Sequence, residues 1–223
     1  MKNYFKLFKH AVLDNENGKI IFKWVYRIFL FSVFVFIILV IGRIFHFFYQ
    51  EKVNVDIENI KKSKLTLPVV LGDSLPLASN DIGESIKGID ANENGIRDDV
   101  ELRIFEKYPD SAKIRAPLLQ YAFTLQLENE VKTRDERVVE EVVLRQKKAM
   151  TCISEELVPR HIPDEGRNDE EIDRINSYIY FVKDLQHNTE ARIQARKNFL
   201  SKLKGLINYD PIVCDINSSD LPD

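Results

Sequence analysis

The apolar positions of this chain fall into two regimes. From Ile28 to Gly42 fifteen residues run without a charge, IFLFSVFVFIILVIG, with Arg27 before them and Arg43 after. Fifteen is short of the ~20 apolar residues that a spanning helix needs. Trp24, Val25 and Tyr26 extend the run on one side, and Ile44, Phe45, Phe47 and Phe48 on the other. Arg27 and Arg43 can lay their stems along such a helix and place their charges near lipid headgroups. Trp24, Tyr26 and Tyr49 stand where interfacial aromatic belts are expected. The alternative, a helix of a soluble core, would need protein around it on every side. The pattern therefore predicts a transmembrane helix over 24–49, in contact with the lipid bilayer. No small-x-small site follows it, so it is expected to be an uncleaved signal anchor.

Beyond the span the spacing changes. Residues 50–89, punctuated by Pro68, Gly72, Pro76, Gly83 and Gly88, read as an extended connector, with LTLPVVL (Leu65–Leu71) as a short extended piece. From Asp98 onward apolar residues recur at helical spacing. Val100, Ile104, Phe105 and Tyr108 precede the stop at Pro109. Ile114, Leu118, Tyr121, Ala122 and Leu125 follow a cap at Asp110 or Ser111, and Pro117 either kinks that helix or restarts it. A third helix carries Val139, Val142, Val143, Ala149, Met150, Ile153 and Leu157, and ends at Pro159. After the loop 160–167, Asn168 and Glu171 have capping-box spacing and open a helix with Ile172, Ile175, Ile179 and Val182 on one face. Asn188 is expected to cap the last helix, with Ile193, Phe199, Leu200, Leu203 and Ile207 inward and Asp210-Pro211 as its end. The expected fold class is all-α: a single N-terminal transmembrane helix, an extended connector, a helical domain of about four to five helices over 98–209, and a tail over 210–223.

Charge divides along the same line. The net charge of −3 is the sum of +5 over residues 1–49 and −8 over the rest, where 25 Lys and Arg face 33 Asp and Glu. Such asymmetry points to membrane contact at one end. It excludes a globally basic nucleic-acid binder, so no nucleic-acid partner is expected. At 44% hydrophobic residues the chain is not disordered throughout. Lys2, Lys6, Lys9, Lys19, Lys23 and Arg27 precede the span, against Lys52, Lys61, Lys62 and Lys64 over an equal length after it. Six against four favours a basic head (1–23) in the cytoplasm of a bacterium and the distal domain in the periplasm, across the inner membrane.

The chemistry is concentrated in DANENGIRDDVE, Asp90–Glu101, which satisfies D-x-[DN]-x-[DN]-G-x5-E. Ca²⁺ takes six to eight oxygens, and short side chains at alternate positions can converge on one point. Asp90, Asn92 and Asn94 offer those oxygens, Gly95 permits the turn, and the Ile96 carbonyl adds another. Asp98 can bind directly or through water, and Glu101 can close the site with two oxygens. This segment resembles the EF-hand loop. It also looks like the G-[IV]-D-x-N-x-N-G-[IV]-R-D-D-[IV]-E loop that opens a helical region in small bacterial envelope proteins, and Gly88–Glu101 fits that form. The resemblance implies Ca²⁺ as cofactor and no established activity. Gly83 and Gly88 disfavour an entering helix, and Arg97 occupies the eighth position, usually aliphatic where two hands pair. No second loop matches: the stretch near Asp14 lacks the downstream ligands, and Asp164–Glu171 has the wrong spacing. A lone site is expected. The competing reading makes Asp98 a helix N-cap and Asp98-x-x-Glu101 a capping box, with no metal.

Cys152 and Cys214 both lie beyond the span, and an even count in an extracytoplasmic domain suggests a disulfide pinning the tail to the third helix. Two unrelated buried thiols are the alternative. The four histidines show no metal spacing, and neither a phosphate loop nor a nucleophile with a recognisable base is present. Glu140, Glu141, Glu155 and Glu156 read as solvated faces. The expectation is a non-enzymatic, membrane-anchored envelope protein with a calcium-stabilised helical domain in a structural or interaction role. Its alternatives are a module that binds an envelope protein partner or inhibits an envelope enzyme, and an enzyme whose site is assembled from residues distant in sequence.

Overall fold

In the computed structural model the described residues are 16–77, 85–131, 135–162, 166–205 and 214–222. Among them regular structure is entirely helical, with seven α-helices, one 3₁₀ turn and no strand. The N-terminal part of the basic head, Gly83, the Asp14 and Asp164 stretches in part, and Ile207, Asp210 and Pro211 lie outside the described residues. The chain divides into two compact units, one ending at Lys52 and the other running Val53–Asp223.

The first unit holds most of α1 (Glu16–Lys62), and every residue from 19 to 49 is exposed. That helix is long and apolar enough to cross a membrane, and none of its most apolar stretch is buried against protein. A core helix of a soluble domain would be covered on those faces.

The extended connector is corrected at two places. Residues 50–62 continue α1 as helix, and Leu67–Leu71 form a short helix, α2. Val53, Ile57 and Ile60 share one helical face behind a screen of Lys, Glu and Asn. Val53 and Ile60 are buried in the core of the second unit, with Ile57 packed against it. In α2, Pro68 sits in the first turn, where its missing N–H is no loss, and Val69 and Val70 go inward.

Five helices then follow: α3 (Asp98–Lys107), α4 (Ala112–Glu130), α5 (Glu136–Leu157), α6 (Asp169–Gln186) and α7 (Glu190–Leu200). The central element is α4, which runs through Pro117 and packs against α2, α3, α5, α6 and α7. It is buried on all faces, including Arg115, Gln120, Thr124, Gln126 and Glu128. These polar groups are satisfied internally, as buried polar groups must be. Arg115 donates to the carbonyls of Val70 (3.2 Å), Tyr108 (2.9 Å) and Pro109 (2.6 Å). Glu128 pairs with Arg196 and accepts from Gln146 at 2.7 Å.

The caps at Ser111 and Asn168 form as their spacing predicts, the latter as a complete capping box with Glu171. At α7 the cap is Thr189 rather than Asn188. The Thr189 hydroxyl accepts from the Arg192 amide at 3.3 Å, while Asn188 Oδ1 accepts from the Arg192 side chain at 2.6 Å. That helix also ends at Leu200, well before Asp210, because Lys202 and Leu203 bond back to Phe199 and Leu200 in tighter i→i+3 turns. The Cys152 and Cys214 sulfurs stand 2.07 Å apart, at disulfide distance. Next to Cys214, the Asp215 amide donates to Gln120 (3.0 Å), and its carboxylate accepts from the Leu65 amide (2.9 Å).

The inward face of the last turns of α1 gives a direct test. Ile60→Ala should destabilise the protein by about 2–5 kcal/mol in urea melts, since it leaves a cavity in the core. Val55→Ala, on the exposed side of the same helix at 52% exposure, should stay within about 0.5 kcal/mol of wild type. Equal effects at the two positions would contradict the helical reading of this segment.

Candidate functional site

The segment entering α3 is irregular, and two glycines make its path possible. Gly88 and Gly95 have φ of 75° and 83°, a left-handed backbone that side chains resist. Space forbids a side chain as well. A Cβ on Gly88 would lie 2.1 Å from Arg97 Cδ, and one on Gly95 would lie 2.5 Å from the Phe123 ring.

Between these glycines the short polar side chains wind the backbone around themselves, each accepting from an amide a few residues on. Asp90 takes the amides of Asn94 (3.1 Å) and Gly95 (2.9 Å) on separate oxygens. Asn92 Oδ1 accepts from the Asn94 amide at 3.3 Å, and Asn94 Oδ1 from the Ile96 amide at 2.8 Å. The two side-chain amides reach one carboxylate: Asn92 Nδ2 donates to Glu101 Oε2 (3.1 Å) and Asn94 Nδ2 to Glu101 Oε1 (2.9 Å). Asn92 Nδ2 also donates to the Ser74 carbonyl at 2.8 Å.

The acids at the start of α3 are not spent on capping it. The N-cap is Arg97, with no side-chain cap bond. Asp98 lies inside the helix and turns its carboxylate back to the Ala91 amide (3.0 and 3.2 Å). Glu101 faces Asn92 and Asn94. The capping box that would explain Asp98 and Glu101 without the rest of the loop is therefore not formed. The candidate residues Asp90, Asn92, Asn94 and Glu101 are instead joined into one hydrogen-bonded unit, Asp98 holds the Ala91 amide within the same loop, and Ile96 is buried.

The electrostatics are unusual. Glu101 is 1% exposed, and among the described residues neither it nor Asp90 nor Asp98 makes an ion pair. Burial, reinforced by the Asp98 and Asp90 charges, pushes the Glu101 carboxyl up to about 7, although the two amides oppose the shift. Burial also raises Asp90, against its bonds from Gly95 and Asn94. A buried carboxyl group beside two carboxylates is relieved by a proton or by a cation. The donor set is all oxygen, which suits a hard divalent ion. As the side chains stand, no three His, Cys, Asp or Glu groups among the described residues are set to hold an ion. Asp90 and Asp98 face backbone amides, and each Asn presents its nitrogen to Glu101.

Arg97, the residue at the position usually used to pair two hands, is fully buried. It donates to Leu185 O (2.7 Å) and Gln186 O (3.1 Å), and its guanidinium also pairs with Asp99. Its partners lie almost 90 residues away, so no local pattern announces them. The other acidic pairs are ordinary ion pairs: Glu141 with Lys61 (3.7 Å), and Glu155 with Arg167 (3.1 Å) and Arg160 (3.6 Å).

Compared with protein-family models, curated proteins and solved structures, the chain finds no match in any of the three.

The raised Glu101 fixes the sign of a pH effect. The folded protein holds a proton here from about 4.5 to about 7 that the unfolded chain has released. The stabilisation is therefore complete below 4.5 and lost as pH rises through 7. In chelator, urea melts should show wild type weakening between pH 5 and pH 8, with Asp90 acting in the same direction. Glu101→Gln should flatten that slope and exceed wild type at pH 8 by about 1–3 kcal/mol. An unchanged slope in the variant would show that Glu101 is not the titrating group.

Proposed function

We propose that this chain is a single-pass protein of a bacterial inner membrane, anchored by α1, whose helical domain lies in the periplasm and is ordered by one Ca²⁺. The observation that carries the reading is Glu101: a buried carboxyl group gripped by two amides, beside Asp90 and Asp98, with no side-chain cation paired to it among the described residues. Asp90, Asn92, Asn94, the Ile96 carbonyl, Asp98 and Glu101 would hold the ion. It would supply two positive charges to three carboxylates and fix how α3 leaves the preceding segment. The role is structural or a matter of interaction with an envelope partner, without catalysis by the domain itself.

The topology draws support from three sources. The excess of cations before the span favours a cytoplasmic head. A cysteine pair at disulfide distance suits an oxidising compartment. A lone loop binds weakly and fills where calcium is abundant, which is outside the cytosol.

The full chain in detergent, melted with Ca²⁺ or with chelator, tests the metal. At a hundred times Kd the ion should add about 2.7 kcal/mol, raising Tm by about 5–10 °C. Asp90→Ala should abolish the shift. Identical melts in calcium and chelator would refute the site. Protease added to spheroplasts should degrade the domain and spare the head; a protected domain would reverse the topology.

A further inference from the structure

A single EF-hand-like loop lacks the neighbour that normally braces it, and here Arg97 occupies the position where that bracing would occur. Resting on the calcium reading above, we infer that Arg97 replaces the second hand and couples filling of the loop to the corner between α6 and α7, residues 185–192.

Three sets of contacts carry this. Arg97 sits between two of the proposed donors, the Ile96 carbonyl and Asp98, so any change that fixes them fixes its backbone. Its guanidinium, fully buried, donates to the last carbonyls of α6, Leu185 O at 2.7 Å and Gln186 O at 3.1 Å. Those carbonyls lie at the negative end of the helix dipole, where a cation is favoured. Asp99 holds the other edge of the fork, Nη2 to Oδ2 at 2.9 Å, and itself accepts from Asn188 at 3.4 Å.

The corner is tied to the same segment from the opposite direction. Arg192 donates to Ser85 O (3.0 Å) and Ile86 O (3.2 Å), just before the loop, and to Asn188 Oδ1 (2.6 Å). Gly88 lies against both arginines: a Cβ there would meet Arg97 Cδ at 2.1 Å and Arg192 Nη2 at 3.2 Å. The approach to the loop, its middle and the α6–α7 corner thus share one set of hydrogen bonds. Coupling between two sites is reciprocal. If an ordered corner favours the filled loop, the filled loop orders the corner. The calcium-dependent surface of this domain is then the corner, about 90 residues from the ligands in sequence.

Amide hydrogen exchange on the full chain in detergent, with Ca²⁺ or with chelator, tests the coupling. The ion should slow exchange over 90–101 and also over 185–192. At the corner the slowing should be at least about fivefold beyond any change at Cys152 and Ile153 in α5, which report global opening. Arg97→Lys keeps the charge and loses the fork. It should raise the calcium Kd about fivefold or more and erase the corner response while the loop still responds. If that variant does not fold, Asp99→Asn, which loosens the same fork, should show the same split. Protection of the wild-type loop alone overturns the coupling and leaves the calcium site standing. A corner response that survives Arg97→Lys, or Asp99→Asn in its place, overturns the role of Arg97. No protection at either segment overturns the calcium site and the coupling together.

Discussion

A carboxyl group removed from water with no cationic side chain paired to it among the described residues is the most demanding feature of this domain, and Glu101 is in that state. Its environment is arranged around the problem. Two asparagine amides hold its oxygens, and those asparagines use their own oxygens to wind the loop backbone. Asp90 and Asp98 are tied to backbone amides, which disperse part of their charge. Yet the net result is still a carboxyl that titrates near 7. Hydrogen bonds alone do not offset the burial of negative charge at this density. That residual imbalance gives the proposed ion its energetic purpose.

The rest of the domain shows the opposite solution. Polar groups on α4 are buried in number, and most find partners outside that helix: Arg115 caps carbonyls near α2 and α3, Gln146 and Arg196 meet Glu128, and Gln126 donates to the Lys87 carbonyl at 2.8 Å. Arg145 closes the end of α1 by donating to Ile60 O and Ser63 O. Buried networks of this kind specify one arrangement of helices because any other leaves charges unpaired. Among the described residues, positive side chains paired with carbonyls or carboxylates brace much of the core, while none pairs with Glu101 itself.

Legibility in the sequence followed the range of each interaction. The loop Asp90–Glu101 could be read because most of its side-chain bonds close within twelve residues and depend on residue type at fixed spacing. The helices α5 and α6 could be read because each has one apolar face. The end of α1 was hidden because Val53, Ile57 and Ile60 are spaced widely among charges, and three positions make a thin stripe. Pro68 suggested an extended chain, although in a first turn proline is compatible with helix. For α4 a single apolar face understated the burial, since polar residues bury only when distant partners exist. Arg97 illustrates the limit: its position marked a departure from paired hands, but Leu185 and Gln186 become its partners only in the folded chain.

The choice of asparagine at positions 92 and 94 follows from the same balance. Aspartate at both would put five carboxylates among the proposed ligands, and without an ion neither could donate to Glu101. The amide supplies both functions in one side chain, an oxygen for the backbone turn and an NH₂ for the buried acid. The loop can therefore close before any cation arrives, with α3 already held in place. What is given up is charge attraction for the ion, since affinity rises with the number of ligand carboxylates. On the calcium reading proposed above, a loop built this way is organised when empty and would bind the ion weakly, which matches the calcium-rich compartment that the same proposal assigns to the domain.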